Sequence, residues 1–141
     1  MAAATNRILT PSRAGEQFSD PAAAGVVIHE GTLVALSAAG YAVPATAAGG
    51  TVRGVAERSV DNTDGAAGDV PVPTCLGVFS FLAAGFTRAD IGSLVYVVDN
   101  QTVAKTGAAL AGVVVDVDGD YRVWVDIRPA AAVAATLAAA A

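Results

Sequence analysis

The sequence predicts an all-β fold: a small β-sandwich or β-barrel built from a duplicated β-meander, with an extended N-terminal arm and a short Ala-rich C-terminal tail of helical propensity. Three observations carry that prediction. The stretch Gly92–Ile127 reads as three to four short strands rich in Val, Tyr and Trp, side chains that suit a pleated surface buried on one face. Asp118-Gly119 stands between two of those runs, and Asp-Gly there is a strong hairpin signal, because a type I′ turn needs positive φ at both central residues. The third observation is an internal echo. Gly31-Thr-Leu-Val34 matches Gly92-Ser-Leu-Val95, and Ala42-Val-Pro-Ala-Thr46 matches Thr102-Val-Ala-Lys-Thr106. Arg53-Gly-Val-Ala56 matches Ala111-Gly-Val-Val114, and Gly68-Asp-Val-Pro-Val72 matches Gly119-Asp-Tyr-Arg-Val123. The pieces keep their order and differ in spacing only by loop insertions, as a duplicated unit would. Two copies that each present an apolar face pack together as a sandwich or close into a barrel.

Taken in order, the chain divides into an arm (1–24), a β domain (25–129) and a tail (130–141). The arm carries no hydrophobic period; Pro11, Gly15 and Pro21 interrupt any element, and Ile8, Leu9 and Phe18 are its sizeable apolar side chains. Such a segment is either an extended arm that takes its order from what it touches or a disordered tail. Strands are expected over Gly25–Glu30, Thr32–Leu36 and Tyr41–Val43, the last ended by Pro44, which donates nothing to a ladder. Thr51–Val60 follows, then the polar turn Asp61-Asn-Thr-Asp-Gly65. Pro71 and Pro73 remove alternate N–H groups, so Val70–Pro73 is expected at a sheet edge. Cys75–Leu82 reads as the next strand and Arg88-Ala-Asp90 as one helical turn. In the last unit Val113–Val117 should pair with Tyr121–Ile127, with Tyr121, Val123, Val125 and Ile127 on one face and Arg122, Trp124 and Asp126 on the other. The alanine tail favours helix but is marginal alone in water. Val133 and Leu137 share a face on which a neighbour would pack.

Composition narrows the function classes. Charged residues are 15 % of the chain, against about a quarter in ordinary soluble domains, and the mean hydropathy is positive. Both point to apolar surface hidden by a partner, hence to a homo-oligomer or a place in a larger assembly. The net charge is −5 and basic residues are scattered, so no direct nucleic-acid contact is expected. No apolar stretch reaches the roughly 20 residues that a bilayer demands, and no basic-then-apolar leader opens the chain. Neither a membrane association nor a secretory signal is expected. Cys75, the sole cysteine, reads as a buried small hydrophobe.

No residue set rises to a catalytic, cofactor or metal site. Asp116-Val-Asp-Gly-Asp120 has the look of a calcium loop, but its glycine is fourth and its twelfth residue is Ile127, where an EF-hand needs glycine sixth and glutamate twelfth. It reads as a hairpin turn, and Asp61, Asp64 and Asp69 share the weakness. His29 has no second histidine or nearby cysteine to share a metal. Neither a Gly-x-Ser-x-Gly elbow nor a phosphate loop is present.

Between Ala22 and Ile127 a series of pieces runs in a telling order. It comprises Ala-Gly-Val-Val-Ile at 24–28, Gly-Thr-Leu-Val-Ala at 31–35, Gly-Val-Ala at 54–56 and Val-Pro-Val at 70–72. Leu-Gly-Val-Phe at 76–79, Ile-Gly-Ser-Leu-Val-Tyr-Val at 91–97, Ala-Gly-Val-Val at 111–114 and Gly-Asp-Tyr-Arg-Val-Trp-Val at 119–125 complete it. The series resembles the small head decoration, or capsid cement, proteins of tailed bacteriophages. That resemblance implies a non-enzymatic structural virion protein, assembled in the host cytoplasm and often trimeric. Its place would be the exterior of a filled capsid head, where it clamps neighbouring subunits of the major capsid protein. The implied partners are that protein and further copies of this chain, with no cofactor. Ile8, Leu9 and Phe18 are the expected capsid contacts. The alternative rests on Lys105, the sole lysine: lipoyl and biotinyl carriers are duplicated β domains with a modified lysine at a hairpin tip, although the flanks here are Ala104 and Thr106.

Overall fold

Valine-rich segments become strands along nearly the whole chain. The computed structural model describes all residues except Met1, Ile8, Pro11, Ser12, Ala14 and Ala141. The strands are β1 (Gln17–Pro21), β2 (Val27–Ile28), β3 (Leu33–Leu36), β4 (Ala42–Pro44), β5 (Thr51–Ala56), β6 (Val60–Asp61), β7 (Pro71–Cys75), β8 (Val78–Leu82), β9 (Leu94–Val97), β10 (Val103–Ala104), β11 (Leu110–Asp118) and β12 (Arg122–Asp126). A 3-10 turn at Arg88–Asp90 links β8 to β9, and the helix α1 (Ala130–Ala140) follows β12.

The two main sheets share one topology. The first runs β1-β7-β5-β3-β4, and the second, from its far edge, runs β8-β12-β11-β9-β10. Strand for strand, β1 corresponds to β8, β7 to β12, β5 to β11, β3 to β9 and β4 to β10. Each sheet also curls until its edges meet, through a parallel bridge from Ala22 to Ala42 in one and from Leu82 to Thr102 in the other. The short pair β2–β6 belongs to segments of the first unit.

The echo extends to the irregularities. The β3–β5 register slips at Arg53, between Val34↔Gly54 and Ala35↔Val52, and the β9–β11 register slips at Ala111, between Leu110↔Tyr96 and Gly112↔Val95. A bulge kinks the strand and increases its twist, which helps a five-stranded sheet to curl. The glycine after each bulge lets the next strand come close. A Cβ at Gly54 would lie 2.7 Å from the Cys75 carbonyl oxygen, and one at Gly112 would lie 2.2 Å from the Asp126 carbonyl oxygen.

The core has two parts. Leu33, Ala35, Val52 and Val55 of the first sheet share a cluster with Phe81, Val95, Val114, Val123 and Val125 of the second, so the units pack on each other. A smaller cluster of Ala22, Ile28, Val34, Ala42, Ala56, Val60 and Val72 fills the first unit alone. Each large aliphatic side chain buried in this way contributes about 1.5–3 kcal/mol. The helix α1 contacts both β5 and β11, the corresponding strands of the two units. Ala130 is buried there and Val133 half-buried, whereas Leu137 is exposed.

Several expectations need correction. The arm is shorter than 1–24, because Gln17–Pro21 pairs antiparallel with β7 from Gln17↔Cys75 to Pro21↔Pro71. The strand with two prolines is not an edge, since β7 lies between β1 and β5. Its pairing with β5 covers only Cys75↔Val55 and Thr74↔Ala56. Beyond that point the Pro73 carbonyl accepts the Glu57 N–H at 2.9 Å and the Pro71 carbonyl accepts from Arg58 Nη2 at 3.3 Å. The prolines therefore face a side on which no ladder donor is required. Cys75–Leu82 is not one strand: the chain turns at Leu76-Gly77 and passes between sheets. The last hairpin closes at Asp118↔Arg122, leaving a three-residue loop in which Gly119 alone takes positive φ. Tyr121 consequently sits in that loop, exposed, while Val123, Val125 and Ile127 keep the expected buried face.

Candidate functional site

The expected contact residues separate. Ile8 lies outside the described residues. Leu9 is 96 % exposed. Phe18 lies within β1, opposite Thr74, and its ring sits beneath the Arg53 guanidinium, 3.6 Å from carbon to centroid. Arg53 is the bulge residue of β5, and a bulge re-aims its side chain. Its Nε and Nη2 donate to the Asp20 carboxylate at 2.8 and 3.2 Å. Phe18 and Asp20, two apart on β1, thus hold one guanidinium by its face and its fork, a strongly orienting pair of contacts. These side chains and those of Arg13, Gln17, Ser19 and Glu57 line an open cleft of about 450 Å³. Across it Gln17 Nε2 donates to Glu57 Oε1 at 3.1 Å.

Beside the cleft runs the edge of the first sheet. Leu76 N–H donates to the Glu16 carbonyl at 2.7 Å, and Ala22 N–H donates to the Val70 carbonyl at 2.9 Å. Even-numbered residues of this stretch therefore bond towards β7. By alternation, Gln17 and Ser19 turn their N–H and C=O groups outward. An edge of that kind accepts a strand from another chain.

A second surface lies on the outer face of β8, β12 and β11. Val78, Trp124 and Val115 are exposed there at 41, 39 and 41 %. Polar groups border them: Arg122 donates through Nε to Ser80 Oγ at 2.8 Å and through Nη2 to the Ser80 carbonyl at 3.0 Å. Arg128 forks onto Asp126, both contacts at 2.9 Å. That hydrogen bonding holds the Asp126 carboxyl below its ordinary range. A small apolar stripe with a polar border is the makeup of an interface core and rim. Period-two alternation placed Trp124 outward in the sequence, but nothing in the sequence joined it to Val78 and Val115. Phe18-Ser19 and Phe79-Ser80 hold corresponding places in β1 and β8 by their registers. That two-residue echo was the signal that could have found β1.

Several of the remaining chemistry-bearing groups are engaged by the fold. Asp61 Oδ1 accepts from the Thr63 N–H at 2.9 Å and from its hydroxyl, and the hydroxyl bond first, then the N–H, lowers the Asp61 pKa. Asp69 Oδ2 accepts the Ala66 N–H at 2.9 Å. Lys105 follows β10 rather than occupying the β9–β10 tip. Its Nζ lies 3.4 Å from Asp90 Oδ2 and 5.4 Å from the Phe86 ring centroid. Cys75 is half-buried rather than buried, and burial, followed by the charge of Glu57, pushes its thiol pKa up. His29 is exposed. Among the described residues no group of three or more His, Cys, Asp or Glu could hold a metal. No described helix is long and apolar enough to cross a membrane.

No family model, curated protein or solved structure matches this chain.

Proposed function

We propose that the protein is a head decoration protein of a tailed bacteriophage. It binds the outer surface of the capsid as a homo-oligomer, with a trimer favoured, and stabilises contacts between major capsid protein subunits. The ordered series of pieces from Ala22 to Ile127 suggests the class. The single structural observation that supports it best is the outward edge of β1 beside the Phe18–Arg53–Asp20 cleft, with the Val78–Trp124–Val115 stripe as a second surface. These are contact features, borne on a doubled scaffold many of whose polar side chains are taken up by its own turns and pairs.

The mechanism is added buried area. At about 25 cal/mol per Å², roughly 400 Å² of apolar contact shared between two shell subunits contributes about 10 kcal/mol before association costs. Repeated over a shell, that raises the work of separating subunits without any chemistry. A capsid strand added at Gln17 and Ser19 supplies register, and the cleft supplies the side-chain contact.

Co-sedimentation with DNA-filled heads stripped of the protein tests the reading. Wild-type chain is expected to bind saturably. Ser19→Pro removes an outward N–H at an edge, where proline is tolerated, so it should unfold like wild type and lose head occupancy. Absence of wild-type binding would reject the function. Wild-type occupancy by both Ser19→Pro and Trp124→Lys would reject these contact surfaces.

A further inference from the structure

The two units differ at one corresponding place. In the first, Ala22 N–H donates to the Val70 carbonyl at 2.9 Å; in the second, Ala83 N–H donates to the Tyr121 carbonyl at 2.8 Å. Around the first of these the chain supplies a cover. The segment between β5 and β7 folds back, Asn62 Nδ2 donates to the Ala23 carbonyl at 2.8 Å, and Gly68 N–H donates to the Ala22 carbonyl at 2.8 Å. Ala22 and Ala42 are fully buried beneath it. In the second unit β11 and β12 are joined by three residues, so no such segment exists. Leu82, Ala83, Ala84, Thr102 and Tyr121 are left lining an apolar hollow of about 270 Å³. Among the described residues the Ala83 and Ala84 carbonyls accept no hydrogen bond.

We propose that this hollow receives the N-terminal segment Thr5–Thr10 of a second copy of the chain. The covered twin defines what an occupant needs: hydrogen-bond donors for two carbonyls and an apolar group for the floor. Thr5–Thr10 offers Asn6 and Arg7 as donors and Leu9 as the apolar group. Leu9 is 96 % exposed in its own chain, so its own hollow is not where it rests. Charge is complementary as well. Residues 1–15 hold Arg7 and Arg13 and no acid, while the turns that carry the lining residues Thr102 and Tyr121 also carry Asp99, Asp118 and Asp120, and the nearby cation Arg122 is turned onto Ser80. From Thr10 to Glu16 the chain spans up to about 24 Å when extended, enough to reach a neighbour. The hollow is thereby completed between copies as its twin is completed within one.

Sedimentation velocity of the full chain over a concentration series tests this without capsids, so its failure is separable from failure of the decoration reading. Self-association is expected. Leu9→Asp and Ala84→Glu, both at exposed positions, should each weaken it about tenfold or more and leave the unfolding midpoint of the dilute, monomeric chain unchanged. In a Cys75→Ser background, Leu9→Cys with Ala84→Cys should give chains disulfide-linked to each other. A chain that stays monomeric at all concentrations, association indifferent to both substitutions, or a disulfide closed within one chain would overturn the proposal.

Discussion

Placing a methyl group at Gly112 should be among the most damaging single substitutions in the chain. Real Cβ atoms essentially never come within 3.0 Å of another heavy atom, and here the Cβ would meet the Asp126 carbonyl oxygen at 2.2 Å. The strands β11 and β12 must then part by about 0.8 Å, the difference between those two distances. The obstacle is backbone and cannot rotate away. At Gly54 the same substitution meets the Cys75 carbonyl at 2.7 Å, so the required shift is about 0.3 Å. Overpacking typically costs 1–3 kcal/mol, and larger values mark a site that cannot relax. Gly54→Ala is therefore expected to cost about 1–3 kcal/mol and Gly112→Ala about 3–5 kcal/mol. Urea unfolding followed by emission of Trp124, the sole tryptophan, gives the readout. With a slope near 2 kcal/mol per molar, the midpoints should fall by about 0.5–1.5 M and 1.5–2.5 M. Gly15→Ala meets nothing within 4 Å and should stay within about 0.5 kcal/mol of wild type. A Gly112→Ala midpoint within about 0.3 M of wild type would refute the claim that the bulge glycines set strand approach.

Three further outcomes are expected. Thr74 is fully buried and its Oγ1 has no hydrogen-bond partner, so Thr74→Val should raise stability by about 1 kcal/mol; a lower thermal midpoint would contradict this. Asn62→Ala should cost about 2–3 kcal/mol by leaving the Ala23 and Ala66 carbonyls without their donor. Hydrogen exchange at the Gly25 and Gly68 amides should speed up ahead of the rest of the sheet. The Asp126 pKa lies below 3.8, chiefly through hydrogen bonding from Arg128. A lowered folded pKa stabilises above the unfolded value and is lost as pH falls. The stability gap between wild type and Asp126→Asn should be constant above the unfolded carboxylate range and shrink as pH falls through it; a gap that does not change with pH would contradict the ion pair.

The doubling was legible because it left marks where backbone geometry restricts residue choice. Gly31 and Gly92 open corresponding strands with φ of 83° and 92°, and Gly54 and Gly112 follow corresponding bulges. The outward and inward faces of β12 followed from alternation alone. The place of β1 did not. Gln-Phe-Ser-Asp-Pro has a polar residue at every second position and ends in proline, so its apolar content looks like that of a tail. It becomes a strand because β7 presents unpaired carbonyls and N–H groups on that side. Proline counting misplaced β7 for a related reason: two missing donors disqualify a strand only if both neighbours extend alongside them. The cleft of Phe18, Arg53 and Asp20 joins residues about 35 positions apart through a bulge, and such a juxtaposition has no local signature. The uncovered hollow was invisible for another reason, since it is defined by a segment that one unit has and the other lacks.

On the decoration reading, electron microscopy of filled heads of a phage that encodes this chain, with and without the protein, tests the central claim most directly. The account predicts density for a doubled β unit on the outer surface, seated across seams between major capsid protein subunits and missing from the heads that lack it. Identical outer surfaces in the two maps would contradict it, as would density for the chain confined to the tail or the interior.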